Sequence, residues 1–200
     1  VGVYNDQAGQ DAAGDCKNCA SGLYNDQTGQ DAATDCKDCA VGLYNDQAGQ
    51  DAAGDCKNCV VGKFNDQTGQ DAAGDCKDCA IGLYQDAAGQ ASCKNCAVGL
   101  YNDQTAQDHA TDCKNCAAGK YNDQAAQDAE ADCKDCVAGQ FQDAAAQSSC
   151  DNCGVGKYSD QAEQTTCKNC GNGKYNDQAG QDSETDCKDC EIGTFQDGVG

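Results

Sequence analysis

Ten copies of the motif Cys-x-x-Cys occur in the chain, and three kinds of chemistry use this motif. A redox centre needs a scaffold that lowers the pKa of one thiol, normally at a turn between a strand and a helix. A zinc site needs two such pairs, and Cys19 and Cys36 are separated by sixteen residues, which suits a zinc ribbon. The third use is a set of disulfides that hold a small fold together.

The sequence period bears on the choice among these three uses. No strand–helix–strand pattern surrounds the cysteine pairs, which disfavours a thioredoxin-like redox site. If each zinc ion were bound by two neighbouring Cys pairs, the sequence should repeat every two units, whereas the observed period is 20 residues. The period therefore disfavours zinc. Disulfides are therefore the favoured interpretation, and zinc stays open as the alternative.

Aspartate pairs four residues apart are the second arrangement that could do chemistry, and they occur in seven repeats. Carboxylate oxygens are the ligands that Ca²⁺ prefers, but the pairs lack the Asp-x-Asp-x-Asp-Gly core of an EF-hand loop. They are either solvated beside lysine partners or bind calcium weakly, and no other cofactor is expected. The candidate calcium ligands are Asp31, Asp35, Asp51, Asp55, Asp71 and Asp75.

Catalytic constellations are not recognisable in the sequence. The single histidine, His109, has no serine or cysteine partner of catalytic type, so we predict a surface position for it. We also expect that the protein is not an enzyme.

The composition excludes an ordinary hydrophobic core. The 200 residues include twenty Cys and three Phe but no Trp, Met or Pro. Such cysteine density is typical of oxidising compartments and predicts an extracellular or cell-surface location. A formal net charge of −21 disfavours binding to nucleic acid, and no apolar run in these residues is long enough to span a membrane.

Self-alignment gives a repeat of 20 residues, with three repeats shortened to 17. Such a period predicts a tandem array in which each repeat contacts mainly its neighbours. We expect one continuous array over residues 1–200, and a longer parent chain because the sequence starts and stops within repeats. The expected repeats are 1–19, 20–39, 40–59, 60–79, 80–96, 97–116, 117–136, 137–153, 154–170, 171–190 and a partial 191–200.

Each repeat contains Gly-x-Tyr/Phe and then Asp two residues after the aromatic, and in several repeats this Asp is followed by a turn of Gln-x-Gly type. We expect the aromatic ring to form the core and the Asp carboxylate to accept backbone N–H groups in the turn. The glycine before the ring should let the backbone pass close to a disulfide or a ring, whereas the turn glycine is replaced in four repeats and need not be left-handed everywhere. The expected core aromatics are Tyr4, Tyr24, Tyr44, Phe64, Tyr84, Tyr101, Tyr121, Phe141, Tyr158, Tyr175 and Phe195.

The run from Cys39 to Tyr44, Cys-Ala-Val-Gly-Leu-Tyr, followed by Cys56-Lys-Asn-Cys59, resembles the ephrin-receptor-like cysteine-rich repeat, a relative of the smallest TNF-receptor module. The resemblance implies tandem extracellular modules and a bridge from the second Cys of one pair to the first Cys of the next. It leaves Cys16 and Cys190 to find partners beyond these residues. The implied disulfides are Cys19–Cys36, Cys39–Cys56, Cys59–Cys76, Cys79–Cys93, Cys96–Cys113, Cys116–Cys133, Cys136–Cys150, Cys153–Cys167 and Cys170–Cys187.

We therefore expect small disulfide-rich repeats in an elongated, solenoid-like rod, with short β-hairpins and turns and little regular secondary structure. A single repeat is too small to be stable alone, which favours a structural component of an extracellular fibre, stalk or self-assembling filament. A receptor-like ectodomain that binds other extracellular proteins is the alternative, and a calcium- or zinc-binding repeat protein is the third interpretation.

Overall fold

The computed structural model describes residues 1–9 and 12–191. Regular structure in this part of the chain is limited to two-residue strands and single-turn 3-10 helices. The expected fold class is confirmed, because tandem disulfide-linked repeats carry short hairpins and little other regular structure. The residues form two compact bodies, one of 1–94 with 104–112 and the other of 95–103 with the described residues from 113 onward.

Each repeat folds into one antiparallel hairpin. The first strand contains the aromatic residue and the second lies inside the Cys-x-x-Cys motif, so that Tyr24 lies opposite Lys37. The first strands are Val3–Tyr4, Leu23–Tyr24, Leu43–Tyr44, Lys63–Phe64, Leu83–Tyr84, Leu100–Tyr101, Lys120–Tyr121, Gln140–Phe141, Lys157–Tyr158 and Lys174–Tyr175. The second strands are Lys17–Asn18, Lys37–Asp38, Lys57–Asn58, Lys77–Asp78, Lys94–Asn95, Lys114–Asn115, Lys134–Asp135, Asp151–Asn152, Lys168–Asn169 and Lys188–Asp189.

A 3-10 helix precedes the second strand in the seven long repeats. Its last residue is always Asp, and in the second repeat the Asp35 carboxylate accepts a hydrogen bond from the Ala32 N–H at 3.0 Å. The three-residue insertion therefore brings its own side-chain cap. These helices are Ala13–Asp15, Ala33–Asp35, Ala53–Asp55, Ala73–Asp75, Ala110–Asp112, Glu130–Asp132 and Glu184–Asp186.

The glycine before the aromatic lies against the backbone of a later repeat. Gly22 has φ +82°, and a Cβ built on it would lie 2.2 Å from the carbonyl oxygen of Gly69. In the second body, Gly99 stands in the same relation to Ala146, also at 2.2 Å. The expectation of a close approach is correct but its partner is wrong. The neighbour is a turn carbonyl rather than a disulfide or a ring, because the turn folds back onto an earlier repeat.

The turn after each aromatic is left-handed even where it has no glycine. Ala106, Ala126, Ala146 and Glu163 have φ between 58° and 62°. The expectation that these turns need not be left-handed is wrong. The Ala126 N–H donates to the Cys96 carbonyl at 2.9 Å, and this bond to an earlier repeat requires the left-handed conformation whatever the side chain.

Glycine at two of these positions is expected to stabilise the protein. An L-residue in the left-handed region is strained by about 1–2 kcal/mol, and the lower entropy of alanine in the unfolded chain offsets part of this. Ala126→Gly and Ala146→Gly should each raise the free energy of unfolding by roughly 0.5–1 kcal/mol, measured by urea denaturation. Ala125→Gly is the matched control with φ outside the positive range, and it should destabilise. Stabilisation by the control as well would contradict the strain argument.

The residue directly after each aromatic is the principal buried polar group of the repeats. In the second repeat this residue is Asn25, which is fully buried. The side-chain amide and the backbone groups of Asn25 connect three consecutive repeats. The Asn25 N–H donates to the Gln50 carbonyl in the following repeat at 3.0 Å, and the Asn25 carbonyl accepts from Gly2 in the preceding repeat at 2.7 Å. The side-chain amide donates to the Val3 carbonyl at 3.1 Å.

The same asparagine, rather than the aspartate that follows it, forms the turn. The Asn25 Oδ1 accepts a hydrogen bond from the Gln27 N–H at 3.1 Å, which is an Asx turn. The prediction that Asp26 does this is wrong by one residue, because the Asp26 carboxylate is drawn to Lys37 instead. The buried residues of this set are Asn25, Asn45, Asn65, Gln85, Asn102, Asn122, Gln142, Ser159 and Asn176.

Truncation of a buried asparagine is expected to destabilise the first body. Asn45→Ala leaves the Leu23 carbonyl and the Gln47 N–H without their partners, so the free energy of unfolding should fall by about 2–4 kcal/mol. Asn45→Asp retains the acceptor for Gln47 but loses the donor, and the comparison separates the two bonds. The exposed Asn58→Ala is the control, expected within about 0.5 kcal/mol of the parent protein by urea denaturation. Equal effects at both sites would show that the amide is not structurally important.

Candidate functional site

Nine disulfides connect successive Cys-x-x-Cys motifs and run through both bodies. Each joins the second Cys of one motif to the first Cys of the next, as Cys39 is joined to Cys56 with their Cα atoms 5.8 Å apart. Cys16 and Cys190 remain outside these bridges. The bonded pairs are those that the family resemblance implies, namely Cys19–Cys36, Cys39–Cys56, Cys59–Cys76, Cys79–Cys93, Cys96–Cys113, Cys116–Cys133, Cys136–Cys150, Cys153–Cys167 and Cys170–Cys187.

Two of the aromatic rings are buried against disulfides, and the rings of the described repeats are covered to different extents. Tyr101 is buried against Cys116 and Cys133, which are bonded to each other. Tyr158 is buried in the same way, whereas Tyr175 is 37% exposed and most other rings are half-buried. The core therefore consists of cystine and amide groups as much as of rings. Phe195 lies outside the described residues.

The Lys of Cys-Lys-x-Cys crosses the hairpin to cover the ring and bind the aspartate. In the repeat that contains Tyr121, the Lys134 Nζ lies 5.8 Å from the ring centroid and 2.7 Å from the Asp123 carboxylate. Cation–π attraction and a charge-assisted hydrogen bond thus act on the same ammonium group. The aspartate two residues after the aromatic therefore belongs to this surface contact and not to the turn.

These contacts shift the pKa values of both partners. The hydrogen bond between Asp123 and Lys134 is the largest cause, and it lowers the pKa of the Asp123 carboxyl below 3.8 and raises the pKa of Lys134 above 10.5. Asp103 and Lys114 show the same two directions for the same reason. The lowered carboxyl pKa gives stability that is lost as pH falls below 3.8, and the raised lysine pKa gives stability that is lost as pH rises above 10.5.

A charge-neutral variant should reveal this pH dependence. The variant removes two ion pairs without changing the net charge. It combines Asp103→Asn and Asp123→Asn with Lys114→Gln and Lys134→Gln. We expect the parent protein to be slightly more stable than this variant at neutral pH, and the difference to shrink progressively as the pH falls below 3.8. Urea midpoints measured across pH would check this. A difference that persists at acid pH would mean that the side chains act by packing rather than by charge.

The candidate calcium ligands divide into exposed residues that precede the 3-10 helices, Asp31, Asp51 and Asp71, and half-buried residues that end them, Asp35, Asp55 and Asp75. Asp35 uses one carboxylate oxygen for the N–H groups of Asp31 and Ala32, at 3.2 and 3.0 Å. Asp51 with Asp55, and Asp71 with Asp75, repeat the arrangement. The lysines bind elsewhere, at the aspartates of the hairpin. Within residues 1–9 and 12–191 no three Asp, Glu, His or Cys side chains are grouped as metal ligands. Calcium binding remains a prediction.

The hairpins, the disulfides and the family comparison together define a class of small, cystine-stabilised tandem repeats. The family model described as tyrosine-protein kinase ephrin type A/B receptor-like matches residues 67–116, 124–163 and 145–187, which together cover more than half of the chain. The chain therefore belongs to this family of ephrin-receptor-like cysteine-rich repeats. No curated protein matches it significantly. The family and the disulfides indicate an extracellular, disulfide-rich protein.

Helices that could cross a bilayer are absent from the described part of the chain, where none has the necessary length and apolar character.

Proposed function

We propose that the protein is a non-enzymatic structural component of an extracellular fibre, stalk or self-assembling filament. The observation that carries the proposal is one set of hydrogen bonds that recurs from repeat to repeat. The Asn25 N–H donates to Gln50, Asn45 to Gln70 and Asn65 to Gln90, all at 2.9–3.0 Å. An interface that repeats in this way supports addition of further repeats with the same contacts.

The second body supports the proposal through the same bonds. Asn102 donates to the Gln127 carbonyl at 3.0 Å, and Asn122 donates to the Gln147 carbonyl at 2.9 Å. Three short repeats and several sequence exchanges leave this pattern in place. A function that depends on a regular contact at each step is consistent with this uniformity.

A receptor-like ectodomain that binds other extracellular proteins is the second candidate. It is favoured by aliphatic side chains that follow the Cys-x-x-Cys motifs and lie in solvent. Val60, Val137 and Val155 are at least 60% exposed. Exposed aliphatic groups next to polar surface are typical of protein contacts.

Electron microscopy and sedimentation of the purified, non-reduced chain would separate these functions. The net charge of −21 should oppose association at low salt, so we would compare about 0.1 M and 1 M NaCl, where the Debye length falls from roughly 10 to 3 Å. Uniform fibres that lengthen with protein concentration and salt would support the structural function. Monomers at every concentration and both salt levels would contradict self-assembly and favour the ectodomain. A reduced and alkylated sample is the control for non-specific aggregation.

A further inference from the structure

One hairpin lacks the lysine that each other described hairpin places opposite its aromatic ring. In the repeat 137–153, Asp151 takes this position and is paired with Phe141 across the hairpin. In the preceding repeat, Lys134 is paired with Tyr121. In the following repeat, which is equally short, Lys168 is paired with Tyr158. The missing lysine is therefore a property of this repeat and not of its length.

Because Asp151 replaces the lysine, Asp143 also lacks the ammonium group that the corresponding aspartates of other repeats bind. Lys168 binds Asp160 at 2.6 Å, and Lys134 binds Asp123 at 2.7 Å. Among the described residues, no lysine nitrogen lies within 4.0 Å of the Asp143 or Asp151 carboxylates. The repeat thus presents two unneutralised carboxylates and a half-buried ring where the others present a bound ammonium group.

A cavity of about 410 Å³ adjoins this ring. Its volume is within the range typical of sites for small organic ligands. The next repeat supplies hydroxyl groups and one lysine to its wall. The residues that matter here are Phe141, Asp143, Asp151, Lys157, Thr165 and Thr166.

We propose that this cavity binds an alkylammonium group, in the place that lysine occupies in the other hairpins. The ring face attracts an ammonium group, and the carboxylates accept its hydrogen bonds. The same chemistry is offered by a free amine and by a lysine side chain of another molecule. Lys157 lines the cavity and has no carboxylate within 4.0 Å in the described residues, but two carboxylates still give the cavity a net negative charge.

The test is an NMR titration of the whole, non-reduced chain with propylammonium, N-acetyl-lysine amide and sodium at matched ionic strength. We expect saturable shifts at the amides of Asp143 and Asp151, with a Kd for propylammonium on the order of 1 mM. Equal shifts with sodium would overturn the proposal, since they would show general screening of charge. Similar binding of the lysine amide would identify a lysine side chain as a suitable ligand, and binding of the free amine alone would identify a small molecule. Both of these results support the site.

Variants make the assignment specific. Asp151→Lys restores the lysine of the other hairpins and should abolish binding while the repeat stays folded. Asp143→Asn should weaken binding about tenfold. Asp128→Asn, which changes the same charge at an exposed position in the neighbouring repeat, should leave it unchanged.

Lys157→Gln decides whether the internal lysine already fills the cavity. We expect tighter binding in this variant, because a competing positive charge is removed. If the parent chain does not bind either amine and only Lys157→Gln does, Lys157 is the occupant and the proposal is wrong.

Discussion

Gly42→Ala is expected to unfold the repeats around it, with a loss of at least about 4 kcal/mol in the free energy of unfolding. Gly42 has φ +80°, and a Cβ at this position would lie 2.2 Å from the Gly89 carbonyl oxygen and 2.4 Å from its carbon. Both atoms belong to backbone that is fixed by a hydrogen bond from Gly89 to Cys59, so neither can move away without loss of that contact. Urea denaturation followed by circular dichroism would measure the effect.

Two further glycines separate the clash from backbone strain. Gly29 has φ +71°, but a Cβ added to it would meet nothing within 4 Å, so Gly29→Ala should lose only about 1 kcal/mol. Gly54 has neither a positive φ nor a neighbour, and Gly54→Ala should change stability by less than about 0.5 kcal/mol. If Gly42→Ala proves no worse than Gly29→Ala, the close contact between repeats does not exist in solution.

Removal of one disulfide is the second change with a large expected effect. The double variant Cys116→Ala and Cys133→Ala should lower the free energy of unfolding by about 3 kcal/mol, because the bridge closes a loop with a sequence separation of 17 residues. Loss of packing against Tyr101 adds to this effect. Since each repeat is stabilised mainly by its neighbours, hydrogen exchange should increase around this disulfide more than in distant repeats.

Cys16→Ala is the matched control for the disulfide variant. Cys16 lies outside the nine bridges, so the same chemical change there should leave the urea midpoint nearly unchanged. A similar loss in both proteins would show that the cysteine side chain stabilises by packing and that the bridge contributes little.

The disulfide pairing and the hairpins could be predicted because the necessary information is local or periodic. The spacing of the cysteines gives the repeat, and the family resemblance implies which cysteines are bonded. The Asn beside each aromatic could not be assigned from one repeat, because the partners of Asn25 lie in the repeats before and after it. A signal was present nevertheless. Asn occupies this position in all seven long repeats and is replaced in the three short ones.

The short repeats show why that replacement is physically meaningful. Gln85 and Gln142 turn their amides to the carbonyls of Ser92 and Ser149 within their own repeats, at 2.6 and 2.9 Å. The longer side chain reaches the backbone that the missing 3-10 helix would have displaced. The left-handed conformation of Ala126 could not be predicted from the sequence either, because the hydrogen bond from Ala126 to the Cys96 carbonyl is made with an earlier repeat.

The disulfide connectivity also determines how the chain would carry a pulling force. Between Cys19 and Cys190, tension passes through each short Cys-x-x-Cys segment and then directly through a sulfur bridge, so the hairpin loop is shielded from the load. Three backbone steps and one bridge with a Cα separation of 5.8 Å allow roughly 16 Å per repeat, against about 70 Å for twenty reduced residues. The oxidised protein is therefore nearly inextensible even after its hydrogen bonds break, and reducing agents would convert it into a compliant tether.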